Sequence, residues 1–473
     1  MRRITTLFIL VLACSIFSLA QLDDATKLLA HDIFKQLIEI NTTDSTGNVT
    51  TASEAMAQRL RDAGFSDKDI QILGPNDRKK NLVVRYHGSG KHKPVLLIGH
   101  LDVVEAHRTD WTTDPFQFVE KDGFFYGRGT QDMKDGDSIM VTTLIRMKKE
   151  NYVPDRDIIL ALTADEEGGK SNGVDYLIKN HRDLIDAEFV LNHDAGGVIT
   201  EHGAKPIVTL GASEKLYADY HLKVTNPGGH SSMPVPDNAI YHLAEGLARL
   251  AKYQFPFELN NVTRAYYERM SKLEQGQKAE DMRGILREPQ DKAAEARLSK
   301  DPIENSTMHT TCVATRLNAG HANNALPQLA EANVNCRILP GHPPEEIRQR
   351  LIEILADPKI DVHSVSPATG EPLQGTDARK AYPPPPLRPD VMSAIEKTSQ
   401  EIYPGAPVIP NMGTGASDGV YTNAAGLPTY GVSGDSIDRD DIRAHGQDER
   451  LKATSFYTGV DLYYRFLKRL TSE

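Results

Sequence analysis

The sequence predicts an α/β protein: a mixed, largely parallel sheet flanked by helices, with a smaller α+β domain inserted into it. Three observations lead there. Short apolar runs alternate with amphipathic ones through residue 212, the pattern changes character near Ser213, and a stiff "AYPPPPLRPD" segment returns the chain to its first pattern. At 473 residues the chain also exceeds one ordinary core.

The elements follow in order. "ATKLLAHDIFKQLIEI" spaces its apolar residues three and four apart, as a helix does. "NLVVRYHG", "PVLLIGHLDVV", "DIILALTADEE" and "AEFVLNHDAGG" read as strands, with the helices "DSIMVTTLIRMKKE" and "GVDYLIKNH" between them. This first part, 21–212, is assigned to the main domain together with 369–473, where "VMSAIEKTSQEIYPG" and "TSFYTGVDLYYRFLKRL" are helical. The insertion, 213–368, contains the alternating strands "KLYADYHLKVTN" and "AEANVNCRILP", the helices "DNAIYHLAEGLARLAKY" and "PEEIRQRLIEILA", and a closing strand "KIDVHSVSP". Within it, 264–304 is so rich in charge that a solvated helical insertion is expected.

Composition excludes some functions. A formal net charge of −11 without a basic patch disfavours a nucleic-acid partner. Residues 1–20 carry Arg2 and Arg3, an apolar stretch and a small-residue cleavage site, so an export signal is expected. The protein is then periplasmic or secreted, with no stable membrane span after cleavage. Lipoprotein processing at Cys14, in "VLAC", is the weaker alternative. Cys312 and Cys336 both lie in strand-like sequence, and either a disulfide or two buried thiols fits them.

The chemistry is concentrated at strand ends. "PVLLIGHLDVV" is apolar enough for a strand buried on both faces, yet it carries His100 and Asp102 two residues apart. Asp132 follows "FFYGRGTQ", Glu166 and Glu167 follow "ILALTAD", and Asp194 follows "FVLNH". An Asp or Glu ending one strand is ordinarily a turn residue. Several crowded together would repel one another and resist burial unless cations neutralised them. Ligands of α/β sheets gather at such strand ends. Imidazole and carboxylate donors without thiolate suit zinc in an open catalytic site, with cobalt or manganese as substitutes. A carboxylate shared between two ions would make a two-metal hydrolase.

"GHLDVV", "GRGTQDMKDG", "TADEEGG", "NHDAGG", "PGGHSSMP" and "GTGASDG…AHGQDE" stand in order along nearly the whole mature chain. In these motifs the sequence resembles the M20 metallopeptidases, a family of carboxypeptidases, dipeptidases, aminoacylases and succinyl-diaminopimelate desuccinylase. The resemblance implies two zinc ions, one held by His100 and Asp194, the other by Glu167 and His445, with Asp132 bridging. It implies that Asp102 orients His100 and that Glu166 is the general base acting on the attacking water. His230 would stabilise the oxyanion, often across a dimer interface. Asn324 and Arg337 would bind the substrate backbone and carboxylate, while Gly415 and Ser417 would line the pocket. Met133 stands where some relatives carry a second Asp. The implied reaction is hydrolysis of an amide beside a free carboxylate in small peptides. N-acyl amino acids are the alternative substrates, and a catalytically silent binding homologue is the competing class. The resemblance also implies that the inserted domain is a lid or dimerisation domain, with a homodimer formed through it.

Overall fold

The computed structural model describes residues 22–472; the export signal expected at 1–20 and Cys14 lie outside the described residues. The first half of the main sheet contributes β1 (Ile70–Leu73), β2 (Asn81–Tyr86), β3 (Val95–His100), β4 (Ile158–Thr163), β5 (Phe189–Asn192), β6 (Gly197–Glu201) and β7 (Ala204–Glu214). The inserted sheet contains β8 (Leu216–Thr225), β9 (Thr311–Ala319), β10 (Leu329–Ile338) and β11 (Asp361–Ser364). The chain then returns through β12 (Val408–Gly413), β13 (Thr429–Gly431) and β14 (Ser436–Asp438).

The main sheet is mixed and runs β1-β2-β4-β3-β5-β13-β7-β6-β14, with β12 alongside β7. At its centre β4, β3, β5 and β13 pair in parallel. Every residue of β3 and β4 is buried, which is why both read as apolar runs without alternation. Helices Asp24–Ile38, Lys134–Lys149 and Ala453–Leu470 cover one face, where Phe34, Leu97, Leu144 and Phe456 share one core. The other face is closed by Leu177 and Ile185 against Leu96 and Ile159. Covering both faces leaves the strand ends as the place where polar side chains can meet.

The inserted sheet is antiparallel, in the order β9-β10-β8-β11. In β10, buried and half-buried residues alternate strictly. The buried set packs under helices Ala239–Leu250 and Pro344–Leu355, around Tyr220, Leu243, Val334 and Leu351. Cys312 and Cys336 face one another across β9 and β10 and form a disulfide, which resolves the two readings of that pair.

The charged segment departs from expectation. It is helical, at Asn261–Met270, Gly276–Gly284, Lys292–Leu298 and Pro302–Met308, but it is not a solvated outwork. Tyr267, Met282, Ile285, Leu298 and Met308 are buried together with Ile409 of β12, so the segment packs on the main sheet. Arg269 donates to the Val408 carbonyl at 2.7 Å, and the buried Lys215 ammonium donates to the His309 carbonyl at 2.7 Å. Charge dominates the composition, while a thin apolar stripe decides the packing.

Candidate active site

The parallel strands β4, β3 and β5 end side by side, and each end delivers a functional side chain. His100 closes β3 and is buried. Its Nδ1 lies 3.0 Å from the Asp102 carbonyl oxygen. A carbonyl can only accept, so Nδ1 carries the proton and Nε2 is free to act as a ligand. Asp102 thus orients His100 through its main-chain oxygen, and its carboxylate oxygen Oδ1 stands 3.8 Å from the same Nδ1. That carboxylate accepts the Glu166 N–H at 3.2 Å and the Glu167 N–H at 3.0 Å. Met133 is buried beneath, and its sulfur accepts the His100 N–H at 3.4 Å.

The Glu166–Glu167 turn is held from its other side as well. Asp165 adopts φ +60°, a left-handed conformation that side chains rarely take. Its carboxylate pairs with the buried Lys79 ammonium and accepts the Ser171 N–H at 3.0 Å. After β5, the Asp194 N–H donates to the Asn192 carboxamide at 3.1 Å.

These side chains converge with two that arrive by loops. His100 Nε2 lies 3.1 Å from Asp132 Oδ1. Asp132 Oδ2 lies 3.0 Å from His445 Nε2, which also stands 3.0 Å from Glu167 Oε1. His100, Asp132 and Asp194 therefore form one group with cation-ligand spacing, and Asp132, Glu167 and His445 a second. Asp132 is the shared member. The buried His100 Nε2 and Asp132 Oδ1 make no hydrogen bond despite their closeness. Two ligand atoms aimed at one point between them produce this geometry.

Electrostatics say the same. Burial, with Asp132 beside it, pushes the Asp194 carboxyl well above the usual carboxylate range. Burial likewise raises Glu166, with Asp194 adding to the effect. Burial opposes a charge on His100, but the facing Asp132 carboxylate outweighs it and holds the imidazole well above its ordinary value. Hydrogen bonds to Asp132 and Glu167 push His445 up to about 10. Left to itself, the cluster would gather protons to offset crowded negative charge. Two divalent cations would fit in their place, with His100, Asp194, Glu167, His445 and the shared Asp132 as the residues that would hold them.

The His445 loop is clamped by residues that motif reading passes over. His445 takes φ +64° and keeps about half its side chain exposed. Gln131, next to Asp132, uses its whole amide to hold this loop. Its oxygen accepts the Arg443 and Ala444 N–H groups at 2.7 and 3.0 Å, and its nitrogen donates to the Asp441 and Arg450 carbonyls at 3.0 and 2.7 Å. Buried Glu449 accepts from Arg128 at 2.6 Å and from the Gln131 N–H at 2.7 Å. Arg128 and Gln131 lie inside "GRGTQDMKDG" and Glu449 inside "AHGQDE", but nothing in either motif marks them as partners.

A cavity of about 380 Å³ opens on the cluster, lined by Asp132, Glu166, Glu167, Asp194 and His445 together with Gly415, Ser417 and Glu214. His230, Asn324 and Arg337 are not brought to it. His230 is exposed in the inserted domain, its Nδ1 2.7 Å from the Ser232 hydroxyl. The Asn324 carbonyl accepts the Ser231 N–H at 3.1 Å. The Arg337 guanidinium stacks 4.7 Å from the centroid of the Tyr217 ring.

The family model Peptidase family M20/M25/M40 matches residues 96–469, which contain every residue of the cluster. The chain belongs to that family. Human (Homo sapiens) N-fatty-acyl-amino acid synthase/hydrolase PM20D1 is 26% identical over 393 residues, 80% of this chain and 75% of that protein. A probable carboxypeptidase S-like 2 of Dictyostelium discoideum is 27% identical over 394 residues, 80% and 71% of the two chains. The M20 family metallo-carboxypeptidase Sso-CP2 of Sulfolobus solfataricus superposes with a TM-score of 0.68 over 95% of this chain and 100% of its own, at 16% identity. This M20 protein is an enzyme, a hydrolase of peptide or amide bonds.

Proposed function

We propose that the enzyme is a dinuclear zinc exopeptidase that cleaves the amide bond beside a free carboxylate in small peptides. One observation carries the reading: two ligand groups share Asp132, and Glu166 opens on the same cavity without belonging to either group. The all-imidazole and carboxylate donor set favours zinc over softer ions, with cobalt or manganese as substitutes. Bound there, the ions would supply Lewis acidity toward the scissile carbonyl and the attacking water.

The chain's own residues divide the remaining work. Glu166 takes the proton of the attacking water and hands it to the leaving amine. Its raised proton affinity, caused first by burial, suits a group that must hold that proton between the two transfers. The Asp102 carboxylate fixes the Glu166 backbone, so the base enters the cavity at one angle. Glu166→Gln should retain the metals and the fold and lose about 10²–10⁴-fold in turnover. Unchanged turnover in that variant would remove Glu166 from the mechanism.

N-acyl amino acids are the second substrate reading, favoured by the similarity to PM20D1. Export is part of the proposal, supported by the charged and apolar pattern of residues 1–20 and by the Cys312–Cys336 disulfide. Among the described residues no helix is long and apolar enough to cross a membrane. A homodimer through the inserted domain is supported by edge strand β9, which leaves Val313 60% and Leu317 68% exposed. Such a partner would give exposed His230 a second surface to act on. Sedimentation should return twice the chain mass, and a monomer at assay concentration would refute the dimer.

A further inference from the structure

We infer that the cavity is an acyl-side subsite for a small aminoacyl residue with a free ammonium group, selected by Glu214. This rests on the peptidase reading and names the substrate class within it. Beyond the ligand cluster the walls are small and polar. Ala195, Gly196, Gly211 and Gly431 offer backbone and one methyl group, and Asn411 and Asn423 offer neutral amides. Among the described residues lining it there is no Lys or Arg, and no side chain as large and apolar as Val, Leu or Phe. A substrate carboxylate finds no countercharge on these walls, so it must leave the cavity on its other side. The acyl half of the scissile bond is then the part that occupies the cavity. A long alkyl chain would meet polar walls and gain little by leaving water.

Glu214 supplies the sign of the selection. It ends β7, is half-buried, and lines the cavity. Its Oε2 accepts both the Ser417 N–H at 2.7 Å and the Ser417 hydroxyl at 2.8 Å. Its Oε1 takes no hydrogen bond among the described residues. A Cβ at position 419 would come within 2.3 Å of that oxygen, so Gly419 is what leaves room for it. The neighbouring cation does not neutralise the carboxylate, because the Lys215 ammonium is spent on the Ser306 hydroxyl and the His309 carbonyl. Burial pushes the Glu214 carboxyl up to about 7, with the two Ser417 hydrogen bonds opposing the shift. An ammonium group brings three donors and no acceptor, the complement of its uncommitted oxygen in the ionised form.

The test holds the leaving amino acid constant. The zinc-loaded enzyme is assayed with glycyl-leucine, N-acetyl-leucine, N-succinyl-leucine and N-lauroyl-leucine. Glycyl and acetyl differ only by the amine, succinyl adds a carboxylate, and lauroyl adds an alkyl chain. Glycyl-leucine should have the highest kcat/KM, at least tenfold above acetyl, with succinyl and lauroyl lowest. Glu214→Gln can keep both Ser417 bonds through its amide oxygen while losing the charge, and should cut the glycyl-to-acetyl ratio at least tenfold. General damage to the variant would lower both substrates and leave that ratio alone. Succinyl or lauroyl leading in the parent, or an unchanged ratio in the variant, overturns the subsite assignment and leaves the hydrolase intact. Failure of all four substrates overturns the peptidase reading and the inference with it.

Discussion

The two halves of the cation cluster are built in opposite ways. His100 ends a strand buried on both faces and exposes 2% of its side chain, whereas His445 sits on a loop and exposes 53% of its own. Packing fixes the first: the sheet, Met133 and the Asp102 carbonyl leave the ring one orientation. Hydrogen bonds fix the second, through Gln131, Arg128 and Glu449. A ligand set by packing is available before any ion arrives. A ligand set by a clamp is only as good as the clamp, so the group containing His445 should be the weaker and more adjustable of the two.

Asp132 joins the halves, and its removal should erase their difference. Asp132→Ala takes a ligand from both groups at once, so both ions should be lost and turnover should fall by about 10⁴-fold or more. Metal content by mass spectrometry decides this; full retention of either ion would show that the groups do not share Asp132. A smaller effect concerns pH. Burial pushes the Glu449 carboxyl up to about 7, with Arg128 opposing the shift. Its folded value lies above its unfolded one, so it favours folding at low pH and that contribution is lost as pH rises from about 4.5 to about 7. The contribution cannot exceed about 3.5 kcal/mol, the free energy of such a shift. Glu449→Gln should therefore flatten the dependence of melting temperature on pH over that window. A slope identical to the parent's would mean that Glu449 is ionised throughout in the folded protein.

The same contrast explains what the sequence made legible. His100, Glu166, Glu167 and Asp194 stand at the ends of three strands that short apolar runs identify, and those strands pair side by side. Sequence order and local pattern were enough to bring them to one edge. The clamp was illegible because its partners lie more than 300 positions apart, as with Gln131 and Asp441 or Arg128 and Glu449. No local pattern encodes such a contact. Lys79 was missed for the same reason, since its pairing with Asp165 spans 86 positions. The charged segment misled in another way: its composition averages over all faces, while Tyr267, Met282 and Leu298 occupy one. His230, Asn324 and Arg337 were singled out through family resemblance, and within one chain they stay apart from the cavity.

The most direct test of this contrast is a calorimetric zinc titration of chelator-stripped protein, parent against Gln131→Leu. The account predicts two ions per chain with unequal affinities in the parent. In the variant the weaker site alone should lose about 10–100-fold, as the clamp on His445 is released. A single ion in the parent, or equal weakening of both sites in the variant, would contradict it.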